Sequence, residues 1–248
     1  MPLNTFSSQH RPLSRIFSTR VAVVGSGLIC HLKTAPSFGS TWTDDVGNSN
    51  ATLANSPTYS SSDGGYISLN GSNQYVMTST SLNAQISGTS PNKSTAQSIF
   101  IWCYPTEQGV IVSELGSASI NSGWHDSNIE MSSSGLISFS VWHGGLVNRV
   151  TSSSKSFNTW YNLGWTYSGT TLTAYINGAS IGTATLTRQP PFNSGNNLHY
   201  ALGAEDGTNM GEGSYCAMRV GSFQVYNRGL TADEVATNYN TYKAIYGL

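Results

Sequence analysis

The sequence predicts an all-β protein, a sandwich or barrel of short antiparallel strands with one helix at its C-terminal end. Three observations carry this. Short apolar-alternating runs separated by Gly, Asn, Ser and Pro recur from Gly27 onward, the pattern of many short strands. Two Asn-Gly pairs, Asn70-Gly71 and Asn177-Gly178, stand between such runs and favour tight hairpins, since both residue types tolerate positive φ. Helical periodicity with a capping signal appears once, after Leu230.

The elements follow in order. Leu28–Leu32 opens the series, and Tyr66–Leu69 and Tyr75–Thr78 flank Asn70-Gly71 as a predicted hairpin. Ser98–Tyr104 reads SIFIWCY, apolar on both faces, which marks a central strand. Pro105 ends it, because proline cannot donate to a ladder. Val110–Glu114, Ile129–Met131 and Leu136–Trp142 come next, with Trp124-His125-Asp126 read as a loop. Trp160–Tyr167, Leu172–Ile176 and Ala179–Leu186 follow, the last two joined through Asn177-Gly178. His199–Ala204, Ala217–Val220 and Ser222–Tyr226 complete the strands. Thr231 and Glu234 then form a capping box, Val235, Tyr239, Tyr242 and Tyr246 recur at helical spacing, and Gly247 closes the end. Long helical patterns between strands do not occur, which argues against a parallel α/β sheet.

Composition narrows the class further. A chain of 248 residues suits a single large β-sandwich. Charged residues make up 9% and the net charge is -1, which excludes bulk electrostatic binding of nucleic acid. No run reaches the length of a membrane span, so membrane insertion is not expected. Cys30, Cys103 and Cys216 are odd in number and widely spaced, and read as buried free thiols rather than a zinc or disulfide framework. Residues 1–25 stand apart. They carry Arg11, Arg15 and Arg20 and no acidic residue, and Gly25-Ser26-Gly27 interrupts their apolar run, so they read as a basic arm rather than a cleaved signal. The remainder, residues 26–248, reads as one domain.

Several motifs carry a resemblance. Gly27-Leu28 with Thr41-Trp42-Thr43-Asp44, Asn50-Ala51-Thr52-Leu53, Ser56-Pro57-Thr58-Tyr59 and Gly64-Gly65-Tyr66 resemble the opening of the concanavalin A-like lectin/glucanase superfamily in its laminin-G-like branch. Leu69 to Val76 looks like that branch's first hairpin. Trp160-Tyr161-Asn162-Leu163 with Leu172 to Gly178 resembles its central hairpin, and Val225 to Leu230 with Glu234 and Asn238-Tyr239 its closing strand and helix. The resemblance spans about residues 27–248 and implies a jelly-roll β-sandwich of two antiparallel sheets with a short C-terminal helix. It does not fix function, because this fold serves lectins, glycanases, adhesion modules and virion proteins of tailed bacteriophages. Low charge, a Ser/Thr/Asn-rich composition, a short basic arm and few cysteines are most similar to the phage group.

Glycanases need two carboxyl groups on one face about 5–5.5 Å apart when they retain configuration. Glu114 and Glu130 each stand alone on their predicted strands, and Asp44-Asp45 would point to opposite faces. The one Gly-x-Ser-x-Gly match, Gly178-Ala179-Ser180-Ile181-Gly182, falls in a predicted hairpin strand rather than a strand-to-helix turn, so it makes no nucleophile elbow. No catalytic residue is therefore expected. Calcium sites are common in laminin-G-like domains, but Asp44, Asp45, Asp63, Asp126, Glu205 and Asp206 form no dense cluster, so no metal or cofactor is expected. Glycan binding needs exposed aromatic faces beside polar groups. Trp124, His125, Trp142, His143 and Arg149 are the candidates, while Trp42, Trp102, Trp160 and Trp165 read as core.

These readings converge on a non-enzymatic bacteriophage virion protein, a capsid-decoration or tail-surface module made in the host cytoplasm. Arg11, Arg15 and Arg20 would hold it to acidic surfaces of capsid or tail proteins, and its loops would touch host-surface glycans. Exposed strand edges and low charge suggest a homo-oligomer or array. Two alternatives stay open: a secreted carbohydrate-binding module or lectin, and a glycoside hydrolase with an atypical dyad.

Overall fold

The computed structural model describes residues 22–33, 35–86, 96–120, 122, 124–142, 148–186, 197–205 and 215–248. Along them run β1 (Leu28–Leu32), β2 (Thr41–Trp42), β3 (Ala51–Ala54), β4 (Thr58–Ser60), β5 (Tyr66–Asn70), β6 (Tyr75–Thr78), β7 (Ala96–Pro105) and β8 (Gly109–Leu115). Then come β9 (His125–Met131), β10 (Ile137–Phe139), β11 (Val150–Thr151), β12 (Tyr161–Ser168), β13 (Thr171–Ile176), β14 (Ala179–Thr185), β15 (His199–Leu202) and β16 (Ala217–Tyr226). One helix, α1 (Ala232–Tyr242), closes the described chain.

The strands form two eight-stranded antiparallel sheets, the expected jelly-roll sandwich. The first runs β14-β13-β12-β7-β16-β5-β4, with β1 also paired to β16; the second runs β11-β10-β9-β8-β15-β6-β3-β2. The core lies between them. Ile99, Ile101, Cys103, Phe223 and Val225 of the first sheet meet Leu53, Val76, Val112, Ile129, Phe139 and Leu202 of the second, all at or below 5% exposure. Each such side chain contributes about 1.5–3 kcal/mol by leaving water. As its two-sided apolarity predicts, β7 sits in the middle of its sheet, between β12 and β16. All three cysteines are buried free thiols.

The outer face of the first sheet carries a second apolar layer. Phe100, Trp102 and Tyr104 alternate outward from β7 and meet α1. Trp102 stacks on Tyr239 (5.6 Å between centroids, 11° between planes) and on Tyr246 (4.4 Å, 21°). Gly221 permits this approach, since a Cβ there would lie 2.3 Å from the Tyr246 hydroxyl. The capping box forms as predicted: Thr231 Oγ1 accepts from Glu234 N at 3.3 Å, and Glu234 Oε2 accepts from Thr231 N at 2.9 Å. Arg228 grips Glu234 through both guanidinium nitrogens, at 2.8 and 2.6 Å, and holds its carboxyl down at about 2. Residues 22–25, assigned to the arm, belong to this layer: Val23 packs on the Trp102 cluster, and Val24 N donates to Asn238 Oδ1 at 2.8 Å.

Four expectations need correction. Asn70-Gly71 is not a hairpin turn, because β5 and β6 lie in different sheets. Asn70 Oδ1 instead accepts from the N–H groups of Ser72, Asn73 and Gln74, and a Cβ at Gly71 would meet Ala217 at 2.8 Å, so the pair steers a crossover. Asn177-Gly178 does make its hairpin, with φ of 51° and 76°. His125 and Asp126 are in β9 rather than a loop, and only Ile137–Phe139 of the 136–142 run is strand. The helix ends at Tyr242; Gly247, with φ 73°, lies in the turn beyond it.

Candidate functional site

The candidate site is built on three adjacent strands of the second sheet. Register pairs Leu115 with His125 and His199, Glu114 with Asp126 and Tyr200, and Ser113 with Ser127 and Ala201. Alternation then sends Glu114, Asp126 and Tyr200 toward the interior, and His125, Ser127, Leu115 and Ala201 outward. Met77, Leu115 and Ala201 form a small apolar patch on this outward face, flanked by Tyr75 and Ile120.

Glu205, just after β15, reaches over the outer row. Ser127 Oγ donates to Glu205 Oε1, and His125 Nε2 lies 3.4 Å from the same oxygen. Ser113 Oγ donates to the Ala204 carbonyl at 2.7 Å and so pins the segment that carries Glu205. The carboxylate is 2% exposed, whereas the His125 side chain is 18% exposed, so the imidazole is the accessible end of the cluster. His199 is buried beside it, with Nδ1 2.8 Å from the Thr78 carbonyl, and burial pushes its pKa down.

The inner row ties the neighbouring loops. Asp126 Oδ2 accepts from Asn128 Nδ2 at 2.9 Å and from the backbone N–H of Trp142. That bond draws the chain after β10 to the start of β9, beside Trp124. The Trp124 carbonyl accepts from Gly116 N at 3.1 Å and from Ser122 Oγ, which closes the β8–β9 loop. Trp124 is half-buried, and its indole N–H has no acceptor among the described residues. Trp142 is 36% exposed. On the same sheet Glu114 Oε1 accepts from the Tyr200 hydroxyl at 2.8 Å, and Gln97 Nε2 donates to that hydroxyl.

The structure thus gathers Trp124, His125 and Trp142 at one end of β9. Arg149 stands apart, paired with Glu130 at 3.4 Å toward the other end of the strand, about 17 Å along it at strand rise. His143 and the arm residues Arg11, Arg15 and Arg20 lie outside the described residues. Ser127 escaped sequence reasoning, and Glu114, Asp126 and Glu205 were weighed there only as lone carboxylates or scattered calcium ligands, not as members of one cluster. Reading 124–126 as a loop hid the His-x-Ser alternation that would have pointed to them.

Glu114 and Asp126 are opposite one another, but both face the interior, at 1% and 7% exposure, where no polysaccharide reaches. Ser127 and His125 both contact Glu205, and among the described residues no hydrogen bond joins Ser127 to His125. Among the described residues no group of three or more His, Cys, Asp or Glu is placed to hold a metal. The Asp44 carboxylate accepts from the backbone N–H groups of His31, Val46, Asn48 and Ser49. Among the described residues no helix is long and apolar enough to cross a membrane.

Two sheets with this order, an aromatic-rimmed end and a terminal helix define a lectin-like jelly roll. The chain belongs to the concanavalin A-like lectin/glucanases superfamily, whose Laminin_G_3 family profile matches residues 70–236. Among curated proteins no sequence matches. Solved structures of similar fold include the Trypanosoma rangeli sialidase in complex with sialic acid (14% identity, TM-score 0.62, 92% of this chain and 35% of that one). The botulinum neurotoxin serotype G binding domain is also similar (17% identity, TM-score 0.59, 86% and 50%). So is the binding domain of botulinum neurotoxin DC in complex with SialylT (14% identity, TM-score 0.57, 87% and 52%). This chain therefore spans about a third of the sialidase and about half of each neurotoxin domain.

Proposed function

We propose that this chain is a non-enzymatic glycan-recognition module that binds saccharides at the rim formed by Trp124, His125, Ser127, Glu205 and Trp142. The carrying observation is the His125–Glu205–Ser127 cluster, a set of fixed polar groups whose imidazole reaches solvent at the end of β9 that Trp124 adjoins and to which the Trp142 backbone is tied. Aromatic faces supply apolar area for a sugar ring, and neighbouring hydroxyl, imidazole and indole groups supply its directional bonds. Two fold neighbours, the sialidase in complex with sialic acid and the neurotoxin domain in complex with SialylT, support the same reading. A glycan array tests it. The native chain should bind a restricted set of glycans, and His125→Ala or Trp142→Ala should remove that binding while the fold persists; a blank array would overturn the proposal.

The finer reading is that the module sits on the surface of a bacteriophage particle, mounted through its basic N-terminal arm. Composition and the phage-like branch of the resemblance support it. So does the entry of the chain: residues 22–25 run against α1 on the first sheet, the layer opposite the rim. An arm attached there would leave the rim facing outward. Removing residues 1–21 should leave a folded domain that no longer joins the particle; unchanged incorporation would contradict the attachment. Incubation with polysaccharides followed by a reducing-end assay should release no sugar, and release would make the chain a glycanase.

A further inference from the structure

The first sheet carries a second cluster that the rim does not explain. On its outer face, cross-strand register aligns Thr58 of β4, Ser68 of β5, Arg219 of β16 and Tyr104 of β7 in one row. The Arg219 guanidinium lies 4.3 Å from the Tyr104 ring centroid and 5.0 Å from that of Tyr66. Trp160 backs both rings, at 5.6 Å from Tyr104 and 5.9 Å from Tyr66. The nearby carboxylate of Asp63 accepts from the Trp160 indole N–H at 3.2 Å instead of pairing with the arginine.

Arg219 is half-buried, yet among the described residues its guanidinium makes no hydrogen bond and no ion pair. A guanidinium has five N–H donors in a rigid fork that fits a carboxylate bidentately. Here two aromatic faces fix its plane, so little freedom remains to be lost when an acceptor arrives. The row continues into hydroxyls. Ser68 is half-buried and Thr58 exposed, and Thr58 lies two strand spacings from Arg219, about 10 Å. A cation at one end of a row of hydroxyls beside aromatic rings suits a sugar that bears a carboxylate.

We propose that the Arg219–Tyr104–Tyr66 cluster is a separate binding site for acidic saccharides, with the ligand carboxylate on Arg219 and its hydroxyls along Ser68 and Thr58. It lies on the layer opposite the rim and stands independently of the rim's function. Calorimetric titration with a linear galacturonate tetramer tests it, with cellotetraose as the neutral ligand of equal length and a glutamate tripeptide as the acidic non-sugar. The native chain binds the galacturonate alone, and more weakly as salt rises, because the charge pair is screened. Arg219→Gln lowers affinity about tenfold or more, and Arg219→Lys, which lacks the planar fork, falls between. Ser68→Asp places a carboxylate opposite Arg219 and should abolish binding while raising thermal stability. Thr231→Ala, which removes one side of the helix cap and lies in neither site, should leave galacturonate binding intact. Equal binding of cellotetraose or of the glutamate tripeptide, undiminished binding by Arg219→Gln or Ser68→Asp, or no binding by the native chain would overturn the proposal.

Discussion

The two sheets share one core and differ in what they do with their outer faces. The first sheet turns Phe100, Trp102 and Tyr104 outward and seals most of that layer with its own helix. The second turns His125, Ser127 and Ser113 outward beside a small buried apolar cluster, and the Glu205 carboxylate reaches over His125 and Ser127. Aromatic residues thus serve opposite purposes on the two layers. Trp102, at 2% exposure between two tyrosines, holds the fold; Trp142, at 36%, offers a surface. The lesson is that an aromatic residue in a sandwich is read by what stacks on it, not by its strand.

The contrast is broken most sharply by truncating one tryptophan on each layer. Trp102→Ala should destabilise the protein by about 3–5 kcal/mol, because it empties a cavity beneath α1 that the fixed backbone cannot close. Trp142→Ala should cost under about 1 kcal/mol, as surface substitutions usually do. Urea denaturation of the pair measures both, and similar losses would erase the distinction between the layers.

A second test uses acid. His31 of β1 is buried beneath the helix, with Nε2 3.1 Å from the Tyr242 hydroxyl and 3.5 Å from Gln224 Nε2. Burial holds its pKa down at about 4, against the opposing pull of Asp45 and Asp44 and with a small contribution from Lys33. The unfolded chain takes up that proton near pH 6.5 and the folded chain resists it. The stability this gives is full above pH 6.5 and is lost as pH falls through 4, roughly 3 kcal/mol in all. His31→Gln should flatten this part of the profile, seen as urea midpoints at pH 7, 5 and 4 that no longer drift with the native slope. Trp142→Ala, which removes no titratable group, should leave the slope unchanged.

The smallest effect concerns the helix cap. Thr231→Ala removes one side of the capping box and should cost about 1 kcal/mol. Glycan binding at the rim should not respond, since α1 covers the other layer.

Much of the fold was legible because it rests on local chemistry. The two-sided run of β7, the Asn177-Gly178 hairpin and the Thr231/Glu234 cap each declare themselves within a few residues. Asn70-Gly71 misled for the same reason: the pair encodes a sharp left-handed turn, but whether the chain returns beside itself or crosses to the other sheet is decided by Ala217 and the partners of β5 and β6, far away in sequence. The site was legible only in its aromatic part. Trp124, His125 and Trp142 stood out by type, whereas Glu205 joins them from 78 residues beyond Ser127. Strand β9 was missed at its start because Asp126 and Asn128 are buried polar residues bonded to each other, which no hydrophobic pattern announces.

The central claim is that the second sheet's rim recognises glycans without cleaving them. The most direct measurement is a glycan array of the native chain beside His125→Ala and Trp142→Ala, with each bound glycan recovered and weighed by mass spectrometry. The account predicts a defined set of bound glycans, recovered intact, lost in both rim variants and kept in Thr231→Ala. Binding that survives both rim substitutions, or recovered glycans that are shortened, would contradict it.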